Sequence, residues 1–413
     1  MLRRLDWMLG GGWLEVQAPT PDPPMLCATN PSLALQTPLL EQEGEMAPAT
    51  SAAAPRPCRS RSRLAALGSH LQRAAAAQHA AAPLAPWRAA SDTTMPIVDV
   101  HTHFWDPQRT GFGGPSSWPP PPPSGQEQLL YRTVLPADFE RVAAAASPNN
   151  PISTVVVQAS VELADNHWVL EMAKSHPSIV GLCGYVEPGR AEFAAEIREL
   201  AANPLFRGIR ISYPTEEGER GGLEAVPSEQ WWQDMHLMAE LDLELDVLVV
   251  PFTAKAFAPV LELAAREPEL RIVINHVALL PVTGAAVGAA DAELIRACAA
   301  LPNMYMKVSA LVEMAASAES SGVVPTLELD FYRPVLELLW ECFGEDRLIY
   351  ASNWPVCDFA RHSDDTPYSE VEPARVYTEQ LGLVQAWMRE KGEAAARKFF
   401  AGNAKDVYKW VDR

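Results

Sequence analysis

The chain has 413 residues, a net charge of −19 and 48% apolar residues, enough for one large domain with an appendage. The charge is uneven: eight Arg and seven Asp or Glu precede the end of the first 95 residues, which leaves about −20 on the remainder. So acidic a body argues against nucleic acid or an anionic membrane as partner, and no apolar run approaches the roughly 20 residues of a membrane span.

Residues 1–94 are rich in Pro, Ala and Ser without persistent apolar periodicity, and read as a disordered leader. From Met46 to Ser91 there is no Asp or Glu, while six Arg sit among Ala and Ser. That is the composition of an organelle transit peptide over 46–91. The Ser and Ala content tilts the expected compartment toward the chloroplast, with the mitochondrion as the alternative. Cytoplasm follows if the true start is Met46 or Met95. The six Cys show no CxxC and no regular spacing, so they read as free thiols.

Beyond Met95 the chain alternates between apolar, β-branched runs and Ala/Leu/Glu-rich helical stretches. The predicted strands are Ile97–Val100, Thr154–Gln158, Ile179–Val186, Phe206–Ile211, Leu243–Val250, Arg271–Asn275, Asn303–Val308 and Arg347–Ala351. Helical stretches between them include Asp165–Ser175, Ala191–Ala202, Glu229–Leu241, Thr253–Arg266, Ala290–Ala300 and Phe331–Phe343. Eight such beats predict a parallel sheet covered by helices, closed as a (β/α)8 TIM barrel over 95–413. No Gly-rich phosphate loop follows the first strand, which disfavours a nucleotide-binding sheet. Two insertions stand out. Arg109–Gly125, with Pro119–Pro123 unbroken, reads as a stiff surface loop or rim, and Met314–Thr326 as a mobile loop.

Polar residues gather at the strand ends where a barrel enzyme places its chemistry. His101 and His103 close the first strand; alternation puts them on one face, about 7 Å apart at the backbone, suited to gripping a metal or polarising a carbonyl. Gln158, Arg210, Asp246, His276, Lys307 and Asn353 lie at or near the ends of later strands. Asp246 sits in an apolar run, so it needs a partner such as Arg210 or Lys307, or else serves as a base. Arg210 can anchor a substrate carboxylate or hydroxyls, or lock the interior. Trp105 and Trp354 can stack on a sugar face or simply pack. Cys357 has no base spaced recognisably beside it and no G-x-S-x-G occurs, so thiol and Ser nucleophiles are disfavoured.

The blocks IVDVHTHFWDP, VVVQASVELADNHWVLEMA, NPLFRGIRIS, IVINH, NMYMKVSALVE, FYRPVLELLWECFGEDRLIYASNWPVC and FFAGNAKDVYKW occur in that order. Together they resemble the amidohydrolase-related family of the amidohydrolase superfamily. The nearest branch includes sugar-lactone hydrolases of the L-fuconolactonase and L-rhamnono-lactonase type. The resemblance implies a hydrolase opening a small lactone or ester, with His101, His103, His276 and Asn353 catalytic, and the strand-end reading adds Asp246 to them. The same strand-end reading gives substrate contacts from Trp105, Gln158, Arg210, Lys307 and Trp354. One divalent metal, Zn or Mn, on His101, His103 and His276 is the implied cofactor, although relatives also work without metal. The strand-8 position carries Asn353 where the family commonly has Asp, and an amide is a far poorer base and ligand. A non-oxidative decarboxylase and a catalytically inactive metabolite-binding barrel are the alternatives. The expected partner is a small-molecule substrate, with self-association left open.

Overall fold

The computed structural model describes residues 95–109, 132–214, 227–250, 252–317, 326–359 and 375–413. The leader and the Pro119–Pro123 run lie outside them, as does most of the second insertion. Eight strands are present: β1 Ile97–Thr102, β2 Ile152–Val157, β3 Ile179–Gly184, β4 Phe206–Pro214, β5 Glu244–Val250, β6 Arg271–Ile274, β7 Met304–Val308 and β8 Leu348–Tyr350. Each pairs in parallel with the next in chain order. Just beyond β8, Thr102 bridges Trp354, Asn353 N donates to His101 O at 2.9 Å, and His103 N donates to Trp354 O at 2.9 Å. The sheet thus turns back on itself, and the architecture is a (β/α)8 barrel.

Helices alternate with the strands: α1 Pro136–Ala146, α2 Leu163–Ala173, α3 Phe193–Ala201, α4 Glu229–Glu240, α5 Ala254–Arg266, α6 Ala289–Ala299, α7 Leu311–Ser317, α8 Leu329–Phe343, α9 Arg375–Lys391, α10 Glu393–Arg397 and α11 Asn403–Tyr408. Their starts follow local chemistry. Ser228 accepts a hydrogen bond from Trp231 N ahead of α4, and Thr253 from Ala256 N ahead of α5. Among the described residues no helix is long and apolar enough to cross a membrane.

The outward strand residues, such as Ile209, Leu245, Val247 and Ile272, join the helices in one large apolar core. The inward ones, Val98, Val100, Val155, Val180, Val273 and Ile349, form a second cluster with Ala401, Ala404, Val407 and Tyr408. The C-terminal helix α11 therefore plugs the barrel at the N-terminal ends of its strands. It is pinned there by Arg207 Nε donating to Tyr408 O and Arg271 Nε donating to Val407 O, both at 2.7 Å. With that end sealed by apolar packing, polar chemistry is confined to the opposite mouth.

Candidate active site

The first site residues are aimed by an irregularity in β1. Asp99 pairs with Thr154, but Thr102 pairs with Val156, so β1 carries one residue more than β2 over this stretch. That is a β-bulge. Val98 and Val100 face the interior, and strict alternation would send His101 and His103 outward toward the helices. The extra residue re-aims both imidazoles into the barrel. Asp99 stays on the outer side. It accepts from His101 N at 3.1 Å, Ser352 N at 2.9 Å and Tyr377 OH at 3.1 Å, stapling β1, the end of β8 and α9 together. Burial pushes its carboxyl up to about 6.

His276 is placed by a second irregularity. It opens a turn, His276–Leu279, in which four successive non-glycine residues have φ between 47° and 57°. A β-branched residue such as Val277 is costly in that region, so the surrounding packing must hold the turn in place. The result brings the His276 ring centroid to 4.4 Å from that of His101, which lies 4.9 Å from that of His103.

The three rings differ in their partners. His103 Nδ1 lies 3.0 Å from Val157 O; a carbonyl only accepts, so Nδ1 carries the proton and Nε2 is bare. His276 Nδ1 pairs with Ser309 Oγ at 2.9 Å. His101 is enclosed by cations, its Nδ1 3.2 Å from Lys307 Nζ and its Nε2 3.4 Å from Arg210 NH1. Burial first, then Lys307 for His101 and Arg210 for His276, hold both imidazoles well below the ordinary range. Burial and Arg210 push His103 down to about 3. All three rings are therefore neutral near pH 7, and the fixed positive charge is carried by Arg210 and Lys307.

Beneath His101 lies a fully buried ion pair between Lys307 and Asp246. Asp246 also accepts from Tyr408 OH at 2.7 Å, so both of its oxygens are occupied and neither reaches the mouth. The expectation that Asp246 acts as base therefore fails on access, and its structural reading as a partner of Lys307 stands. Lys307 is likewise buried, so it supports His101 rather than touching substrate. Arg210 NH2 donates to the Gln158 backbone oxygen at 3.0 Å while Nε is buried without a partner among the described residues. Trp105 packs 6.5 Å from His103 and donates from Nε1 to Arg132 O at 2.7 Å. Trp354 does not line the mouth. It is 1% exposed, against Phe104 and Phe139, which leaves no face for a sugar.

Asn353 follows β8 with φ 68°. Its side chain donates from Nδ2 to Glu313 Oε1 at 3.1 Å and bonds toward His103 on its other side. Glu313 lies on α7, directly after β7, and is 8% exposed; Oε2 has no hydrogen-bond partner among the described residues. Burial pushes its carboxyl up to about 8. Sequence reasoning missed this residue because it lies between the strand-7 pattern and the Met314–Thr326 stretch that reads as a mobile loop, on a helix that neither predicts. The available signal was a carboxylate set in an apolar run, as Glu313 is in ALVEMAA just past the end of β7.

A divalent ion needs bare donor atoms converging on one point. His101 offers none, because a cation stands against each of its nitrogens, and Arg210 and Lys307 add like charge. The strand-8 position contributes an amide. Among the described residues, the group of three potential ligands with atoms within 4.8 Å of one another is Cys183, Glu244 and Asp246, in the barrel floor. There the Lys307 ammonium already holds Asp246, and burial pushes Glu244 and Cys183 well up toward their protonated forms. As arranged, the histidine cluster does not fit a divalent cation.

An eight-stranded parallel barrel with a His-x-His strand, a histidine after β6 and a polar residue after β8 defines an amidohydrolase-type site. The family model described as Amidohydrolase matches residues 98–410, and the chain belongs to that family. It is 29% identical to L-fucono-1,5-lactonase of Burkholderia ambifaria over 330 residues, 76% of this chain and 96% of that one. L-fucono-1,5-lactonase of Burkholderia multivorans is 24% identical over 317 residues, 75% of this chain and 95% of that protein. Among solved structures, an amidohydrolase of Burkholderia multivorans with bound zinc superposes with a TM-score of 0.59 at 22% identity, over 76% of this chain and all of that one. That likeness concerns the fold.

Proposed function

We propose that this hydrolase opens a small lactone or ester of the sugar-acid class by attack of water at the barrel mouth. The observation that carries the reading is the charge arrangement. Three neutral imidazoles lie against one another at the barrel mouth, and Arg210 supplies a buried positive charge beside His101. Charge that develops on the carbonyl oxygen is stabilised by donors and cations already fixed in place, where little water screens them. His276 keeps Nε2 free of the Ser309 contact that fixes its ring, which suits it to hold the carbonyl or the ring oxygen, while His103 is tied to Val157 and Asn353. Esters and lactones are more easily cleaved than amides, so a site without a strand-8 carboxylate suffices. The 29% identity to an L-fucono-1,5-lactonase supports the lactone class.

The test is a panel of aldonolactones watched for acid release by the full chain, with and without prior treatment by a chelator. Hydrolysis that survives the chelator and is lost in His103→Ala supports the reading. Binding without turnover of any lactone or ester would instead favour a metabolite-binding barrel, the reading that the amide at Asn353 favours.

A further inference from the structure

We propose that Glu313 is the catalytic base of this site, accepting the proton of the attacking water at Oε2 while Asn353 holds the carboxylate through Oε1. The inference rests on the lactone or ester hydrolase reading and names the group that reading leaves open.

The argument proceeds by elimination and then by position. Asn353 stands where a carboxylate is expected, and an amide takes no proton at working pH. Asp246 has both oxygens occupied, by Lys307 and Tyr408, and has no exposure. Asp99 is spent on His101 N, Ser352 N and Tyr377 OH, on the outer side of the sheet. The imidazoles are poor acceptors beside Arg210 and Lys307, which favour their neutral forms. Two further buried carboxyls are engaged elsewhere, Asp358 by Trp354 and Arg132 and Asp165 by Arg109, which leaves Glu313, with one oxygen unmet among the described residues.

Its placement is specific. Ser309, at the end of β7, holds His276 at 2.9 Å, and the chain then turns through Ala310 at φ 56° into α7. That helix packs against both the 276–279 turn and the 356–359 turn that follows Asn353, so Glu313 sits between the two arms of the site. Oε1 is satisfied by Asn353 Nδ2 at 3.1 Å, and Oε2 has no hydrogen-bond partner among the described residues. A buried carboxylate oxygen without a donor is costly, and a water or a substrate hydroxyl removes that cost.

The step balances without a co-reactant. The water oxygen bonds to the lactone carbonyl carbon, one water proton passes to Glu313 Oε2, and the carbonyl pair becomes an oxyanion beside Arg210. As the adduct collapses, the ring C–O bond breaks and the departing oxygen takes the proton back from Glu313. Lactone and water give the hydroxy acid, and the carboxylate is restored.

The experiment uses the full chain and the aldonolactone panel. Glu313→Gln keeps an acceptor for Asn353, and its kcat should fall on the order of 10²- to 10⁴-fold with KM and thermal midpoint little changed. For Glu313→Ala, added formate should restore part of the rate. The native protein supplies an independent readout should the variants fail to fold. Glu313 is held up to about 8 by burial, so kcat/KM should fall as pH drops through that region. The titratable neighbours on the packed turns are Asp358, which pushes Glu313 the same way, Cys357, held protonated, and His276, held neutral. Lactone hydrolysis with an unimpaired Glu313→Gln, or a native profile flat from pH 9 to 6, overturns the role and leaves the hydrolase reading intact. A native chain inert toward every lactone and ester overturns both.

Discussion

Tyr408, five residues from the C-terminus, donates a 2.7 Å hydrogen bond to Asp246, whose other oxygen holds Lys307 beneath His101. A line of contacts thus runs from the plug helix α11 at the closed end of the barrel to a histidine at the open end. The plug supplies apolar cover through Val407 and Ala404 and one polar contact that reaches the catalytic layer. In Tyr408→Phe that oxygen of Asp246 loses its donor in a fully buried site. The expected cost is about 1–3 kcal/mol, as for a buried charged acceptor left unmet, read as a lower midpoint in urea.

The pair above it should respond more sharply and non-additively. Asp246→Asn removes the counter-charge from a Lys307 with no exposure. Breaking one partner of such a pair costs on the order of 3–5 kcal/mol, whereas replacing both with apolar residues is often close to neutral. Asp246→Leu combined with Lys307→Met should therefore be more stable than Asp246→Asn alone, yet impaired in turnover because His101 loses its support. A double-mutant cycle in denaturant measures the coupling, and an additive result would contradict the pairing.

Much of this architecture was legible because strand periodicity is set by burial. All eight predicted strands begin within two residues of those observed, and a parallel barrel follows from their alternation with helices. The direction of the site histidines was legible only in part. His101 and His103 do share a face, but that the face is the interior depends on the bulge between Asp99 and Thr102, and nothing in IVDVHT announces an extra residue. Likewise the left-handed turn at His276–Leu279 is written in residues that disfavour it, so tertiary packing fixes it. Trp354 was misread because an aromatic beside a site residue can face either way, and its cluster with Phe104 and Phe139 is assembled from three separated segments.

The neutral histidines make stability depend on pH in a definite direction. His103 is held at about 3 in the folded chain, against 6.5 for an ordinary histidine. The unfolded chain therefore binds this proton first. The stability that the neutral ring contributes is fully present above about pH 6.5 and is lost progressively as pH falls toward 3. Comparing His103→Gln with the native chain isolates this contribution from carboxyls such as Asp99, which act in the opposite sense because burial raises them. The native minus variant difference in unfolding free energy should shrink between pH 6.5 and 4. A difference that stays constant across that interval would show that His103 is not held neutral by its surroundings.

Asn353→Asp distinguishes this site from one that has merely lost its base. If the amide marked a disabled active site, restoring the carboxylate would raise activity. Here Asn353 donates to Glu313 at 3.1 Å, and an aspartate in its place would put two buried carboxyls in contact. They cannot both ionise cheaply, so one retains a proton and the pair titrates together. Glu313 also loses the donor that favours its ionised form, which moves its carboxyl further up. Turnover of a lactone near pH 7 should therefore drop in Asn353→Asp. Asn353→Ala should cost on the order of 10²-fold, as for loss of one positioned donor. In both variants the fall should ease as pH rises, because alkali restores the carboxylate. Steady-state rates of the native chain and the two variants from pH 6 to 9 decide the matter. A gain of activity in Asn353→Asp at pH 7 would show that the amide is a defect rather than the partner that orients Glu313.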